Sequence, residues 1–383
     1  MKLLSCSTSS NLLTSSTRQT SSTKVVLVRH ARTTYNEQGR YQGSSDESVL
    51  TEKGYQDAYA TGLALKEYSF DAVYTSPLKR VRQTTQEIIT ALGNKTLPVC
   101  SDRLLTEICM SHWQGLYYQE VKEKFAEAYK CWQNTPHLFS FDDVYPVVEL
   151  FEKARLFWQK VLNKHQGQTI LVVAHGGTNR ALISTAIGLQ PESYHGLQQS
   201  NCGISCLEFT SNNDGKLKYL NATEHLGETL PKLKAGKTGW RWLLLSETNA
   251  RTLKDRLLFN SSGSSNSIDL LLTEHSISES ISQKIATKYQ IPHFPLAENH
   301  FSNWQQTIMN RQKSLIDPEQ LHLTTGLIIA SDKLITRILK NTFKINIPHT
   351  QDSLTIIHYP QTTNHSILQG IFPLASKAIL VSK

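Results

Sequence analysis

Short, unbroken apolar runs alternate along the first half of the chain with segments whose apolar positions repeat at helical spacing. The run Val25–Val28 is apolar on both faces of an extended chain, which is typical of a strand buried between two layers. The runs at 71–75 and 168–174 show the same pattern. Helical spacing is found at 51–66, 78–92, 117–133, 144–164 and 177–188. The alternation, which continues to residue 225, predicts an α/β fold with helices covering a mostly parallel sheet.

The pattern restarts near residue 240 and repeats several stretches of the first half in the same order. RWLLLSETNART at 241–252 echoes KVVLVRHARTTY at 24–35. TGLIIASDKLITRIL at 325–339 echoes QTILVVAHGGTNRAL at 168–182. Because preserved order indicates an internal repeat, we expect two tandem copies of one three-layer sandwich, the second shorter and degenerate.

The expected boundaries divide the chain into a tail at 1–23, a first copy at 24–227, a linker at 228–239 and a second copy at 240–383. The tail is rich in Ser and Thr and has no acidic residue. It has too little apolar surface to fold, so we expect it to be disordered. Its composition is also that of a plastid transit peptide. The expected location is the cytoplasm, with the plastid stroma as the alternative if the tail is such a peptide.

Composition and charge limit the classes of binding partner that the chain is expected to have. The formal net charge is +8, which favours anionic partners, but the basic residues are spread along the chain and form no dense run. We therefore expect a small phosphorylated metabolite and no nucleic acid. No stretch has the roughly 20 apolar residues that cross a bilayer, so no membrane partner is expected. The six cysteines form no CxxC pair, which argues against zinc and disulfides; we expect no metal and no cofactor.

Charged side chains follow several of the predicted strands. Arg29 and His30 come directly after the first strand, Arg80 follows the second, and His175 follows the strand at 168–174. Catalytic groups in such sheets collect at the carboxyl ends of the strands. Glu107 precedes a turn between two of these elements.

These residue types match the needs of phosphate-ester cleavage. A neutral imidazole such as that of His30 can attack phosphorus, and the guanidinium groups of Arg29 and Arg80 can hold the phosphoryl oxygens. His175 can act as a further donor to the phosphoryl group, and Asn36 can add a neutral one. Glu107 can protonate the leaving oxygen. The set predicts a phosphate pocket that needs no metal.

The motifs that carry these residues resemble the histidine phosphatase superfamily, also called phosphoglycerate mutase-like. VRHARTTYN at 28–36, YQGSSDESVLTEKG at 41–54, TSPLKRVRQT at 75–84 and AHGG at 174–177 match its pattern over residues 24–225. One departure is Ala31, where the family has glycine. The resemblance implies that His30 is the phosphorylated nucleophile and Glu107 the proton donor.

The same resemblance implies that Arg29, Asn36, Arg80 and His175 form the phosphate pocket. It also implies substrate contacts at Gln42 and at Gly176 of the AHGG motif. Within the family, the tandem arrangement and the stretch YHGLQQSNCGISCLEF at 194–209 resemble two-copy proteins of cyanobacteria and plastids that act as 2-carboxy-D-arabinitol-1-phosphatases.

The second copy lacks most of this chemistry. Ser246 and Glu247 stand where the first copy has Arg29 and His30. Ser278 replaces Arg80, Ser331 replaces His175, and Glu298 keeps the acid position. We therefore expect the second copy to have no phosphatase activity. For the oligomeric state we expect one of two alternatives. The chain is either a monomer in which the two copies form an internal pseudo-dimer, or a homodimer.

The sequence thus predicts a metal-independent phosphomonoester phosphatase that works through a phosphohistidine. The expected substrates belong to the sugar phosphate, carboxyarabinitol 1-phosphate or phosphoserine class. Two alternatives stay open: a phosphoglycerate mutase, and a non-catalytic phosphate-binding or scaffold protein. Substrate selectivity is expected to reside in the aromatic-rich segment 108–145.

Overall fold

The computed structural model describes residues 22–374 apart from 229, 253–266, 278, 298–299, 302, 305, 308–321, 346, 348–352, 362 and 364. The first strand begins at Thr23, so residues 1–21 of the predicted tail lie outside the described residues. Within the described parts of the chain, no helix has both the length and the apolar character needed to cross a membrane.

The first half of the chain builds a six-stranded sheet. Its strands are β1 (Thr23–Arg29), β2 (Ala72–Thr75), β3 (Val99–Ser101), β4 (Thr169–Ala174), β5 (Ile204–Phe209) and β6 (Gly215–Ala222). They lie in the order β3-β2-β4-β1-β5-β6, and the first four of that order are parallel. The apolar runs at 25–28, 71–75 and 168–174 correspond to β1, β2 and β4. The predicted α/β class is confirmed.

Helices cover this sheet. They are α1 (Thr34–Gln38), α2 (Glu52–Ala64), α3 (Lys79–Leu92), α4 (Tyr118–Lys124), α5 (Ala126–Asn134), α6 (Pro146–Lys164) and α7 (Gly176–Ile187). The Thr51 side chain accepts the Gly54 amide at 3.1 Å and caps α2. The single helical pattern at 117–133 is in fact two helices. They break at Phe125, whose backbone leaves the helical region and whose ring packs near Trp113.

The alternation of strands and helices ends earlier than the sequence pattern predicted. Strands β5 and β6 form an antiparallel pair, and no helix lies between them. The connecting residues 210–214 are mostly Ser, Asn and Asp, and Asn213 adopts a φ of 62°. Asn tolerates this left-handed conformation, so the segment turns back on itself rather than crossing over.

The second half repeats the topology of the first. Its described strands are β7 (Gly239–Ser246), β8 (Leu270–Glu274), β9 (His293–Leu296), β10 (Leu323–Ala330), β11 (Ser353–Tyr359) and β12 (Ile367–Pro373). Its described helices are α8 (Glu247–Thr252), α9 (Glu279–Tyr289) and α10 (Asp332–Phe343). Read from its free edge, the order is β9-β8-β10-β7-β11-β12, which matches the first half strand for strand.

The two half-sheets join edge to edge. Strands β6 and β12 pair antiparallel at Leu220 and Ile371, which makes one twelve-stranded sheet. Asn221 Nδ2 donates to the Gln369 carbonyl at 2.8 Å, while Asn221 Oδ1 accepts the Ser200 amide at 2.6 Å. Equivalent strands therefore meet at a pseudo-twofold axis, the arrangement expected of an internal pseudo-dimer.

Both faces of the sheet are packed. Along β1, Val25 and Leu27 belong to one apolar cluster, and Val26 and Val28 belong to the cluster on the opposite face. All four side chains are fully buried. Because each cluster also includes residues of both halves, the two halves share their core.

We expect Asn221→Ala to destabilise the folded chain more than Asn213→Ala. Both residues have a left-handed φ, so both substitutions carry the same backbone cost. Only Asn221 also bonds across the junction of the halves, and its loss leaves buried groups unpaired. The expected difference in the free energy of unfolding is about 1–3 kcal/mol. Urea unfolding of the two variants measures it, and equal losses would contradict a cross-half role for Asn221.

Candidate active site

The two histidines of the predicted site lie side by side at the end of neighbouring strands. Arg29, the last residue of β1, pairs with Ala174, the last residue of β4. The His30 amide donates to the Ala174 carbonyl at 2.9 Å, and His175 follows directly. The two imidazole rings are 5.4 Å apart between centroids, edge to face. Parallel pairing of β1 and β4 therefore brings together residues that are far apart in sequence.

The tautomer of His30 is fixed by its backbone neighbour. His30 Nδ1 lies 2.8 Å from the Ala31 carbonyl oxygen. A carbonyl only accepts, so Nδ1 carries the proton and Nε2 keeps its lone pair. The Ala31 amide in turn donates to Thr84 Oγ1 at 3.0 Å, which anchors the loop after β1. The structure thus presents His30 Nε2 as an unprotonated nitrogen.

His175 is held by the turn after β2. Its Nε2 lies 2.8 Å from the Ser76 hydroxyl, and the ring is fully buried. His175 Nδ1 has no hydrogen-bond partner among the described residues. The sequence pointed to the Ser76-Pro77 turn but not to Ser76 as the partner of His175.

The Arg29 side chain lies near Gln199 and the start of α7. Its Nη1 donates to the Gln199 carbonyl at 2.8 Å, and a Cβ on Gly176 would sit 3.2 Å from its Nε. Gly176 therefore leaves room for the guanidinium. Its predicted role as a substrate contact stays a prediction, because its observed neighbour is Arg29.

Arg80 is fully buried at the start of α3. Its Nη1 and Nη2 donate to the carbonyls of Ser45 and Gly43 at 2.6 and 2.7 Å. Gln114 Oε1 accepts the Ser45 amide at 3.0 Å and packs against Gly43, which adopts a φ of 52°. Arg80 and Gln114 thus hold the loop that carries Gln42. The sequence analysis did not single out Gln114 as part of the site.

The Glu107 carboxylate sits at the N-terminus of α7. Backbone amides of Ile108, Gly177 and Thr178 donate to its two oxygens at 2.9 to 3.1 Å. A Cβ on Gly177 would collide with Glu107 Oε1 and with the Tyr194 hydroxyl. Gly177, the second glycine of the AHGG motif, is therefore required for the close approach of the Glu107 carboxylate to the start of α7.

Asn36 and Gln42 complete the pocket as neutral groups. Asn36 Oδ1 accepts from Asn201 Nδ2 at 3.0 Å and from Thr33. Gln42 Oε1 accepts from the hydroxyls of Thr33 and Ser48 at 3.0 and 2.7 Å. With both oxygens engaged, the side-chain amino groups of Asn36 and Gln42 are the donors left for a ligand.

Asn201 is a site residue that the analysis of motifs missed. Its Nδ2 also donates to the His30 and Ala31 carbonyls at 3.0 and 3.3 Å, so it fixes the backbone that carries the nucleophile. The only signal was its place in the stretch at 194–209. The Asn201 amide bonds backbone carbonyls, and the residue types in a motif do not reveal such partners.

The electrostatics of the pocket suit an anion. Burial, with Arg80 and Arg29 nearby, holds the pKa of His30 well below its usual range. Burial and the same two arginines do the same to the pKa of His175. Burial lowers the pKa of Arg80 to about 10 and also lowers that of Arg29. Two neutral imidazoles between two guanidinium cations leave a positive field that a phosphoryl dianion can neutralise.

One large cavity of about 1230 Å³ lies at these groups, and the fully buried His175 is not among its lining residues. The cavity is lined by Arg29, His30, Asn36, Gln42, Arg80, Glu107 and Gly176, with Met110, Tyr118, Lys122, Tyr129 and Trp132 from the segment 108–145. Its volume far exceeds that of a phosphate, so the organic part of an ester also fits. In the described part of the chain, no cluster of three or more His, Cys, Asp or Glu side chains is placed to hold a metal ion.

The equivalent place in the second half carries different chemistry. Ser246 pairs with Ala330 as Arg29 pairs with Ala174. Ser331 holds the N-cap position of α10 as His175 holds that of α7, but only the Ser331 side chain accepts a backbone amide of its helix, that of Leu334. Glu274 Oε2 accepts the Ser331 amide at 2.7 Å, so a carboxylate lies beside this helix start. Ser278 and Glu298, the predicted counterparts of Arg80 and Glu107, lie outside the described residues.

Comparison with known proteins finds relatives of the first half of the chain. Residues 25–223 match the model of the histidine phosphatase superfamily, branch 1. The chain is 47% identical over 192 residues to an Arabidopsis thaliana protein named "Probable 2-carboxy-D-arabinitol-1-phosphatase", covering 50% of this chain and 39% of that protein. It is 33% identical over 205 residues to phosphoserine phosphatase 1 of Hydrogenobacter thermophilus, covering 54% of this chain and 95% of that enzyme.

A solved structure points to the same fold. Bacillus stearothermophilus YhfR superposes with a TM-score of 0.50 and 25% sequence identity, over 53% of this chain and 99% of that one. The alignment with the Arabidopsis protein spans well under half of that protein's length. The family match covers just over half of the present chain and includes every strand of the first half. The chain therefore belongs to the histidine phosphatase superfamily.

Proposed function

We propose that the first half of the chain hydrolyses a small phosphomonoester, with His30 as the nucleophile. The observation that carries the proposal is the bond from His30 Nδ1 to the Ala31 carbonyl, which leaves Nε2 unprotonated between Arg29 and Arg80. A nucleophile of this kind needs no base to activate it. The low pKa of the ring keeps it neutral at physiological pH.

The reaction would proceed in two displacements. His30 Nε2 attacks phosphorus and the bond from phosphorus to the ester oxygen breaks. Glu107 enters this step as the protonated carboxylic acid, gives its proton to the leaving alkoxide and becomes a carboxylate. Water then attacks the phosphohistidine, its P–N bond breaks, and Glu107 takes up the proton that the water loses. Inorganic phosphate leaves, and His30 and Glu107 return to their starting states.

The charge that the transition state needs is supplied by protein groups. Arg29 and Arg80 provide fixed cations, and the amide of Asn36 adds a neutral donor; all three residues line the cavity. His175 is fully buried beside His30, and we propose that its unpaired Nδ1 serves the phosphoryl group. This donor set supports a mechanism without a metal ion. The relatives' names support substrates of the carboxyarabinitol phosphate or phosphoserine class, and the sugar phosphate class stays a prediction.

We also propose that the second half is catalytically inert and acts as an internal partner. Serines replace an arginine and a histidine there, and Glu274 brings a carboxylate to the place where phosphate would bind. Its β12 contacts the first half instead: the Gln198 amide donates to the Leu368 carbonyl at 3.0 Å. Gln198 precedes Gln199, whose carbonyl holds Arg29.

Hydrolysis of p-nitrophenyl phosphate by the full-length chain, with EDTA present, tests the proposal. We expect turnover by the wild type and a loss of about a thousandfold or more in His30→Ala, because the nucleophile is removed. His293→Ala, which alters a histidine of the second half, should keep wild-type activity. Activity that needs added metal, or that survives in His30→Ala, would contradict the mechanism. Transfer of phosphate to an acceptor alcohol instead of water would favour a mutase.

The pKa of His30 should rise in Arg80→Met. Removing the neighbouring cation removes a repulsion that disfavours the imidazolium, so the ring should take up its proton at a higher pH than in the wild type. Titration of the His30 ring by NMR measures this without any substrate. Arg82→Met, on the same helix but exposed, should leave the titration unchanged. An unmoved His30 in Arg80→Met would show that burial alone sets its pKa.

A further inference from the structure

Residues at the start of β12 reach the first half of the chain beside the cavity. Leu197 and Leu368 form an isolated parallel bridge between the halves. Thr363 Oγ1 donates to the His365 carbonyl at 3.2 Å, which helps to hold His365 in place. Thr363, His365 and Ile367 line the cavity, although they lie far outside the part of the chain that matches the family. The second half therefore supplies part of the cavity wall.

His365 continues a row of aromatic rings that begins in the first half. Its imidazole stacks on that of His195, with the ring centroids 5.4 Å apart and the planes at 24°. His195 in turn lies edge to face with Trp132 at 4.7 Å, and its Nε2 lies 2.8 Å from the Trp132 carbonyl oxygen. All three residues line the cavity. The rings thus form one wall that crosses from the first half to the second.

The row of rings ends beside the predicted proton donor. The Tyr194 ring lies 5.0 Å from that of His195, and a Cβ on Gly177 would collide both with the Tyr194 hydroxyl and with Glu107 Oε1. These two oxygens are therefore neighbours. In the proposed reaction Glu107 protonates the ester oxygen, so the leaving group lies on this side of the phosphorus. His365 is two ring contacts away from Tyr194, a distance that a leaving group of several carbon atoms can span.

The imidazole of His365 is suited to bind a hydroxyl group. Burial lowers its pKa to about 4, so the ring is neutral at physiological pH. A neutral imidazole has one N–H donor and one acceptor nitrogen, and a hydroxyl group can pair with either. Among the residues that the structure describes, no hydrogen-bond partner is found for the ring nitrogens of His365. The ring of His195, by contrast, already uses Nε2 to bond the Trp132 carbonyl.

We propose that His365 is a specificity-determining residue that binds a hydroxyl group on the leaving group of the substrate. The second half would then act on the reaction of the first half by direct contact with the substrate. The substrate class is a phosphomonoester whose organic part is long enough to reach this wall and carries hydroxyl groups away from the ester. This inference rests on the proposed phosphatase function and narrows it.

Two matched esters test the inference on the full-length chain. Glycerol 1-phosphate and sorbitol 6-phosphate are both primary phosphate esters of polyols, and they differ in the length of the polyol. In His365→Ala we expect kcat/KM for sorbitol 6-phosphate to fall by about threefold to tenfold, the usual effect of losing one neutral hydrogen bond. The change should lie mainly in KM, because His365 binds the substrate away from the reacting atoms. Hydrolysis of glycerol 1-phosphate should stay at the wild-type level, since this ester is too short to reach His365.

Three further variants separate hydrogen bonding from packing. His365→Gln keeps a neutral donor and a neutral acceptor, so it should retain most of the activity on sorbitol 6-phosphate. His365→Phe keeps a ring that can stack on His195 but cannot form the hydrogen bond, so it should lose as much as His365→Ala. Ser366→Ala alters the next residue, which is not part of the cavity lining, and should match the wild type.

Equal losses on both esters in His365→Ala, no loss on either, or full activity in His365→Phe would overturn the inference. A wild type that hydrolyses only glycerol 1-phosphate would also overturn it. If neither ester is hydrolysed, calorimetric binding of the two esters decides the role of His365. Tighter binding of sorbitol 6-phosphate that disappears in His365→Ala would support it, and equal affinities or no binding would refute it. Failure to hydrolyse p-nitrophenyl phosphate as well would count against the proposed phosphatase function rather than against this contact.

Discussion

The pairing of β1 with β4 is the constraint on which the candidate site depends. Their register sets Arg29 against Ala174, so that His30 and His175 leave the sheet side by side with their rings 5.4 Å apart. A shift of β1 by one residue against β4 would turn the side chains of β1 to the opposite face and separate His30 from His175. The fully buried, apolar strands hold that register, because any slip would expose polar groups to the core. The positive pocket is therefore built before any substrate arrives.

The pseudo-symmetric second half contacts the first half close to the candidate site. Its β12 extends the sheet of the first half, and Leu368 holds Gln198, next to the carbonyl that positions Arg29. The same half lines part of the cavity through His365. Under the proposal that the second half is catalytically inert, its own site is free to change as long as this shared edge is preserved.

The sequence was sufficient to predict β1, β2 and β4, the α/β class and the internal repeat, and to single out the charged residues that the fold brings together, because these depend on local pattern and on side-chain type. It did not reveal Ser76, Gln114 or Asn201, which act through hydrogen bonds whose partners are distant in sequence. It also did not reveal that Lys234, within the predicted linker at 228–239, lines the cavity. Such placements follow from tertiary packing, which short motifs do not encode. The break at Phe125 was missed for the same reason.

Direct detection of the phosphoenzyme tests the central claim most closely. The full-length chain is mixed with excess p-nitrophenyl phosphate and quenched in alkali, which preserves phosphohistidine. It is then digested and read by mass spectrometry. The account predicts a phosphoryl group on the peptide that contains His30, at Nε2, which disappears when the substrate is exhausted. Turnover without a label on His30, or a label on another residue such as His175, would contradict it.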